Sequence, residues 1–446
     1  MSSLADRLRG VMSGRPEGRS LRDEASDPLD HPGDPPSGRL EDPGSADPAA
    51  ILGGEWRESC GHRFLVIDRK YSPGYRHGRV AVADSLPPPE GPWPRLSLLA
   101  GASCGGRMLF IDLETTGLAG GAGTYAFLVG CAWFQGAIFR VRQFFLASFA
   151  AERVLLEAVA AAAAESGTVV TYNGKSFDVP LIDTRFQLHR METPFAGMPH
   201  VDMLHPARRL WRSDDDGGEE VAGRPLMARQ SSCRLSALET ALCGHTREGD
   251  VPGFEIPSRY FHYVRSGDAR GMEAVMEHNR LDLLSLALLT ARASQLLEDG
   301  AAAAGTAREA LGIGRLYERG GLLTEARGAF ARAADMPGAD LPTRAEALCA
   351  FAVLCRRERR HEDAAAAWRR ILDLRRCPPQ IMREATEALA VHHEHRLRDP
   401  LAARGFALES MKLPVSHARQ QALQHRLARL DRKLGEATHS TLFSAT

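Results

Sequence analysis

The chain has 446 residues, of which 44% are hydrophobic and 25% charged, and its 56 Lys and Arg residues balance its 56 Asp and Glu residues. These values are ordinary for a globular protein, and the length suggests about three domains or modules. A formal net charge of zero excludes nucleic-acid binding through overall charge, so any such binding would need a local basic track.

The apolar runs and the cysteines exclude further classes of protein. No apolar run reaches about 18 residues, so no membrane contact is expected, and the N-terminus lacks the apolar region of a secretory signal. The eight cysteines include no Cys-x-x-Cys pair, which argues against a zinc site or a disulfide framework. Buried thiols in a reducing compartment are expected, and we predict a cytoplasmic protein.

The first hundred residues divide into two segments. Residues 1–50 are rich in Pro, Gly, Asp, Arg and Ser, and we predict a disordered N-terminal segment. Residues 51–103 are predicted to form a small β-rich extension followed by a Pro-rich linker, because apolar residues alternate at 63–68 and 78–83.

Residues 104–298 carry a pattern typical of an α/β domain with a mixed sheet, in which an antiparallel meander precedes β-α units. A hairpin is predicted across Gln135 and Gly136. Residues 213–230 are predicted to form a surface loop, and the remainder is predicted to be helical. The predicted strands span about 107–113, 124–134, 137–146, 168–172 and 200–204, and the predicted helices about 150–166, 178–190 and 205–212.

Two carboxylates stand directly after the first predicted strand of this domain. The apolar residues 108–111 predict a buried strand, and Asp112 and Glu114 follow at positions i and i+2. Alternate residues of a strand point to one side, so the two charges repel each other unless a divalent cation stabilises them. The alternative is a solvated acidic turn. The segment Asp-x-Glu-Thr-Thr-Gly resembles the first motif of the DnaQ-like (DEDD) 3′–5′ exonucleases, which have an RNase H-like fold.

Two further motifs agree with this resemblance. Residues 173–178, Asn-Gly-Lys-Ser-Phe-Asp, follow a β-branched strand and resemble the second exonuclease motif, with Asp178 at the start of a helix. His278 and Asp282 are spaced i and i+4 on a predicted helix and share a face. This is the spacing of the Tyr-x-x-x-Asp subclass, with His in place of Tyr. Carried over residue by residue, the resemblance implies four metal-binding carboxylates: Asp112, Glu114, Asp178 and Asp282.

Three other segments indicate a particular family among these exonuclease-like proteins. Residues 117–130, 233–239 and 250–257 are similar to the YprB-type family of predicted bacterial exonucleases, and the similarity covers about residues 51–298. It implies an RNase H-like mixed sheet with flanking helices.

The four carboxylates are expected to hold two Mg²⁺ or Mn²⁺ ions roughly 3.5–4 Å apart, which activate a water and stabilise the 3′-oxygen leaving group. Asp112 would bridge the ions, and Asp282 would close one site from its helix. Glu114 and Asp178 would complete the inner sites. His278 is expected to orient or deprotonate the attacking water. The alternative is that His278 packs against the asparagine of the second motif or faces solvent.

Residues near the motifs are candidates for substrate contact. Lys175 is a candidate to reach a phosphate, and plain solvent exposure is the alternative. The Gly-rich loop at 117–123 either cradles the terminal nucleotide or is only a permissive turn. Asp202 is expected to accept backbone hydrogen bonds rather than to serve as a fifth metal ligand. The predicted substrate-binding residues are Thr115, Thr116, Gly117, Asn173 and Lys175.

Residues 304–440 show a period of 38 residues. Ala326, Ala364 and Ala402 follow it, aromatic residues keep it four positions later, and small residues keep it twelve positions earlier. This pattern resembles tetratricopeptide repeats, in which small residues let paired helices approach. We predict a tetratricopeptide-like helical array with a core of its own, which either binds a protein partner or buttresses the preceding domain.

The sequence thus predicts a metal-dependent 3′–5′ exonuclease that acts on the 3′ end of DNA or RNA. One alternative is a catalytically weak nucleic-acid-binding or scaffold protein on a degenerate nuclease fold, against which the intact set of four carboxylates argues. Another alternative is a structure-specific endonuclease, since RNase H-like folds carry both activities.

Overall fold

The computed structural model describes residues 47–117, 123–212, 233–374, 376–413 and 417–443, with side chains up to residue 435. The predicted surface loop at 213–230 lies outside the described residues, as does most of the predicted disordered segment. For its last residues the prediction of disorder is wrong, because the first helix, α1 (Pro48–Leu52), forms there. The carboxylate of Asp47 caps this helix by accepting a hydrogen bond from Ala49 N (3.1 Å).

The centre of the fold is a seven-stranded mixed sheet. The strands are β1 (Glu55–Ser59), β2 (His62–Tyr71), β3 (Arg76–His77), β4 (Val80–Ala81), β5 (Arg107–Thr115), β6 (Ala126–Gln135), β7 (Ile138–Phe145), β8 (Ser166–Thr171) and β9 (His200–Asp202). Their order in the sheet is β1-β2-β7-β6-β5-β8-β9. β5, β6 and β7 form the predicted antiparallel meander, and β8 and β9 are parallel to β5. The predicted mixed α/β class is therefore confirmed.

The segment ahead of the predicted core joins the same sheet. β2 pairs antiparallel with β7, from Leu65 opposite Phe145 to Tyr71 opposite Phe139, and β1 pairs with β2 at the edge. β3 and β4 form a separate two-stranded sheet. Residues 64–67 are buried on both faces of β2. Other elements must therefore pack on both sides of this strand. The segment 51–103 thus adds two strands, β1 and β2, to the central sheet.

Helices cover the sheet and place the candidate site. They are α2 (Leu96–Ala100), α3 (Glu152–Ala163), α4 (Asp178–Leu188), α5 (Leu204–Leu210), α6 (Leu235–Leu238), α7 (Ile256–Ser266) and α8 (Glu273–Asp299). The predicted strands and helices of the core form with ends that differ by only a few residues. α8 approaches β6 closely at Gly130, where a Cβ atom would lie 2.3 Å from Asn279 Oδ1. A larger residue there would push α8 off the sheet, so the close approach requires glycine.

The C-terminal part of the chain is helical. Its helices are α9 (Ala307–Arg319), α10 (Leu323–Asp335), α11 (Leu341–Arg357), α12 (His361–Leu372), α13 (Pro379–His392), α14 (Pro400–Met411) and α15 (His417–Phe443). Ala326, Ala364 and Ala402 lie near the starts of α10, α12 and α14, so the period follows pairs of helices. The tetratricopeptide type of these pairs stays a prediction. Within the described residues, no helix combines the length and the apolar character needed to cross a membrane.

The helical region does not have the separate core that we expected. One buried cluster extends from Phe110 in the sheet through α8 and α12 to Leu389 in α13. Where the two parts meet, Trp211 Nε1 donates a hydrogen bond to Glu309 Oε1 (3.0 Å). α9 packs against α5 and α2 as well as against its pair partner α10. α10 covers only part of the apolar face of α9, and α5 and α2 cover more of it.

Candidate active site

The first two predicted ligands lie on β5, in the middle of the sheet. Asp112 and Glu114 flank the buried Leu113, so both carboxylates leave the same face of the strand. Asp112 stands opposite Gly130 of β6, and the pairing becomes irregular just after Glu114. The apolar residues of β5 are buried and anchor these two side chains at fixed positions.

Asp178 is the first residue of α4, as the sequence predicted. Its Oδ1 accepts a hydrogen bond from Leu113 N at 3.2 Å. Because Leu113 lies between Asp112 and Glu114, this bond holds the third carboxylate beside the first two.

α8 carries the third motif to the same place. Asn279 Nδ2 donates to Asp112 Oδ2 (2.8 Å) and to Asp112 O (3.1 Å). Gln143 Nε2 donates in turn to Asn279 Oδ1 at 2.9 Å. Both amide side chains are fully buried, so this chain of bonds fixes the turn of α8 that bears His278 and Asp282. The sequence interpretation missed Asn279 and Gln143, and the adjacency of Asn279 to the third motif was the available signal.

Repulsion among the four carboxylates adds to burial in raising the pKa of three of them. Burial, followed by the charge of Asp282 and those of the other carboxylates, raises the pKa of Asp112 well above its ordinary value. Burial and the neighbouring carboxylates, Asp282 first, also raise the pKa of Glu114 well above its ordinary value. Burial raises the pKa of Asp178 to about 7, although the amide of Leu113 opposes the shift. A proton or a cation would relieve this repulsion.

A cation that the sequence interpretation missed approaches the third motif. Arg247 Nη2 donates a hydrogen bond to Asp282 Oδ1. Its Nε donates to Glu239 Oε2 (2.6 Å), and its Nη1 donates to Asp250 Oδ2 (3.3 Å). Although burial opposes the charge, the carboxylates of Asp282 and Glu239 raise the pKa of Arg247 above its ordinary value. Arg247 therefore stays cationic inside the site.

His278 lies between two carboxylates. Its Nδ1 is 2.6 Å from Asp250 Oδ1, and its Nε2 is 3.6 Å from Asp282 Oδ2. Its side chain is 18% exposed. The described partners of His278 are thus Asp250 and Asp282, and not Asn173 of the second motif.

A polar cluster, buried at His77 and Glu239, contacts Arg247 through Glu239. Donor atoms of His77, Glu239 and His245 lie within 4.8 Å of one another, which is compatible with a metal site. The oxygens of Glu239, however, already accept hydrogen bonds from Arg247 Nε (2.6 Å) and Ser285 Oγ (2.7 Å), and one lies 2.6 Å from His77 Nε2. Hydrogen bonding therefore accounts for the cluster, and its effect is to anchor Arg247.

The predicted substrate-binding residues of the first motif bond to their own loop. Thr115 Oγ1 donates to Gly117 O, and Tyr125 N donates to Thr116 Oγ1, both at 2.9 Å. Most of the Gly-rich loop, residues 118–122, lies outside the described residues. Contact of these residues with a substrate stays a prediction.

The second-motif residues surround Asp202. This buried carboxylate accepts backbone hydrogen bonds from Asn173 N (2.7 Å), Lys175 N (3.1 Å) and Leu204 N (3.1 Å), so its predicted structural role is confirmed. The side chain of Lys175 is exposed. Burial and then the Lys175 charge lower the pKa of His200 to about 4. A role for Asn173 or Lys175 in substrate binding stays a prediction.

The sheet order and the acidic cluster match the RNase H-like fold that the sequence resemblance implies. A family model described as the RNase_H superfamily matches residues 109–294, the part of the chain that holds β5 to α8 and all four carboxylates. The chain is also 28% identical over 377 residues to the uncharacterized protein YprB of Bacillus subtilis (strain 168). The aligned region covers 83% of this chain and 86% of that protein. The predicted resemblance to YprB-type proteins of RNase H-like fold is thereby confirmed.

Proposed function

We propose that the protein is a metal-dependent 3′–5′ exonuclease that hydrolyses phosphodiester bonds of DNA or RNA. The observation that carries the proposal is the meeting of four carboxylates from three separate elements, β5, α4 and α8, in a partly buried site. Burial and then the neighbouring charges raise the pKa of the three carboxylates on β5 and α4. Such repulsion opposes folding, and strongly perturbed carboxylates are typical of catalytic and metal sites.

The proposed ligands of two Mg²⁺ or Mn²⁺ ions are Asp112, Glu114, Asp178 and Asp282. They suit these ions because carboxylate oxygens are the ligands that hard cations prefer. Part of the rise in the pKa of Asp112 and of Glu114, after burial, comes from neighbouring negative charges that cations would balance. Bound ions would supply activation of the attacking water and stabilisation of the 3′-oxygen leaving group.

The chain's own side chains would position these groups and move the proton. His278 Nε2 would accept a proton from the attacking water while the water oxygen bonds to phosphorus and the bond from phosphorus to the 3′-oxygen breaks. Asn279 would keep Asp112 in one orientation through its bond of 2.8 Å. Arg247 would hold Asp282 in place. The product would be a nucleoside 5′-monophosphate.

The helical region is proposed to be tetratricopeptide-like and to bind a protein partner or buttress the nuclease part. Its support is the regular placement of small residues, such as Ala326 and Ala364, in successive helix pairs. The eight cysteines are thiols in the structure, which supports the proposed cytoplasmic location.

Digestion of 5′-labelled single-stranded DNA and RNA with Mg²⁺ or Mn²⁺ tests the proposal. We expect products that shorten progressively from the 3′ end and a loss of digestion when the 3′ end is blocked. Asp112→Asn should lower the rate about a thousandfold or more, equivalent to about 4 kcal/mol. It should leave the protein folded, because Asn279 can still donate to the side-chain oxygen of residue 112.

The same assay separates the competing functions. Cleavage of a 3′-blocked substrate at internal positions would indicate an endonuclease. Binding of the oligonucleotide without cleavage by either metal would favour the nucleic-acid-binding or scaffold protein.

A further inference from the structure

The segment that begins at Asp250 lies in the site although none of its residues is a proposed metal ligand. Asp250 precedes α7, and its Oδ1 lies 2.6 Å from His278 Nδ1, across 28 positions of the chain. Among the described contacts of His278, this is the shortest.

Two contacts besides that of His278 fix the position of Asp250. Its Oδ1 accepts a hydrogen bond from Val251 N (3.0 Å), and its Oδ2 accepts one from Arg247 Nη1 (3.3 Å). Val251 is 2% exposed and packs in the sheet core. Arg247 is itself anchored by the fully buried Glu239. The Asp250 carboxylate is therefore held in one orientation, and the imidazole of His278 orients to it.

This contact decides which ring nitrogen carries the proton. An ionised carboxylate only accepts hydrogen bonds, so His278 Nδ1 must be the donor. In the neutral ring the lone pair then lies on Nε2, which faces the third-motif ligand Asp282 at 3.6 Å. A carboxylate that orients a histidine in this way selects the tautomer that can accept a proton.

We propose that Asp250 is a positioning residue that holds His278 as the Nδ1–H tautomer, with Nε2 directed at the attacking water. The proposal rests on the proposed nuclease function. In the hydrolytic step, Nε2 takes one proton from water, the water oxygen forms the new bond to phosphorus, and the electrons of the broken bond go to the 3′-oxygen. Asp250 would act only through His278.

A double-mutant cycle tests the proposal. Asp250→Asn, His278→Ala and the double variant are compared by single-turnover digestion of 5′-labelled DNA with Mg²⁺, and folding is checked by thermal unfolding. We expect Asp250→Asn to lower the rate roughly 10–100-fold in the wild-type background, the usual effect of a residue that orients a histidine, and to have almost no effect when His278 is alanine. A matched control, Glu255→Gln, removes a carboxylate of the same loop that pairs with Arg259 (3.3 Å) and should leave the rate unchanged.

A second measurement does not depend on cleavage. Nitrogen-15 NMR of the Mg²⁺-containing protein, labelled at histidine and assigned with the His278→Ala variant, reports the tautomer of His278 at pH 8. We expect the Nδ1–H form in the wild type and its loss in Asp250→Asn. An Nε2–H form in the wild type, or equal rate losses for Asp250→Asn in both backgrounds, would overturn the proposal. Absence of cleavage by the wild type together with the Nδ1–H form would refute the nuclease function and leave the orienting contact established.

Discussion

Asp178→Asn should make the metal-free protein more stable near pH 8. Burial raises the pKa of Asp178 from 3.8 to about 7. Between those two pH values the unfolded chain has lost a proton that the folded protein keeps, so the free energy of unfolding falls as pH rises through this range. Asparagine has the same shape and keeps an oxygen that can accept the hydrogen bond of Leu113 N, but it has no charge to bury.

The size of the effect follows from the pKa shift. A shift of about three units corresponds to about 4 kcal/mol, and partial exposure of the side chain reduces this, so we expect a gain of about 2 kcal/mol at pH 8. Urea unfolding with EDTA at pH 8 and pH 4 measures it, and the gain should disappear at the lower pH. Added Mg²⁺ should reverse the order of stability, because the wild type would bind the ion more tightly.

Asp202→Asn is the matched control, since it removes the charge of a second aspartate in the same region. Asp202 accepts three backbone hydrogen bonds, and an amide group would place a donor against one of those N–H groups. We therefore expect a loss of roughly 1–3 kcal/mol. A metal-free Asp178→Asn protein that is less stable than the wild type at pH 8 would refute the reasoning about the acidic cluster.

Three further outcomes follow from the structure. His278→Ala should lower the nuclease rate roughly 10²–10⁴-fold with little change in calorimetric metal affinity, and His278→Tyr should recover part of the rate. Gly130→Ala should lower the urea-unfolding free energy by roughly 1–3 kcal/mol, because the new methyl group would overlap Asn279 Oδ1; unchanged stability would contradict the close approach of α8. Deletion of 304–446 should give an unstable protein because it strips α9 from α5, whereas deletion of 400–446, beyond the shared core, should leave a folded one; a cooperative unfolding transition in the longer deletion would contradict the shared core.

Much of the fold and the four carboxylates could be predicted because the information is local in sequence. The alternation of Asp112 and Glu114 after an apolar run is enough to put both on one face of a strand. The spacing of His278 and Asp282 is enough to put both on one face of a helix. The 38-residue period likewise reports helix pairs from short-range spacing alone.

The remaining features depend on contacts between distant residues, which no local pattern encodes. Glu239 approaches His77 across 162 positions of the chain. β2 pairs with β7 through residues that are distant in the sequence, such as Tyr71 and Phe139. Local patterns therefore place the first strands in a separate extension. The roles of Arg247 and Asp250 appear only when α8 lies over the sheet, because their partners are brought there by tertiary packing.

α8 has a consequence for how the molecule responds to heat. Near its beginning it carries the third motif, and near its end Leu297 O accepts hydrogen bonds from Arg95 Nη1 (2.8 Å) and from the Tyr317 hydroxyl of α9 (2.6 Å). Asp282 and Leu297 are about 22 Å apart along this continuous helix. Melting of α9 and α10 would therefore free the C-terminal end of α8, the helix that brings the third motif to the acidic cluster. A calorimetric scan should show the sheet and the adjoining C-terminal helices melting in one endotherm, so that the acidic cluster and these helices are lost at the same midpoint.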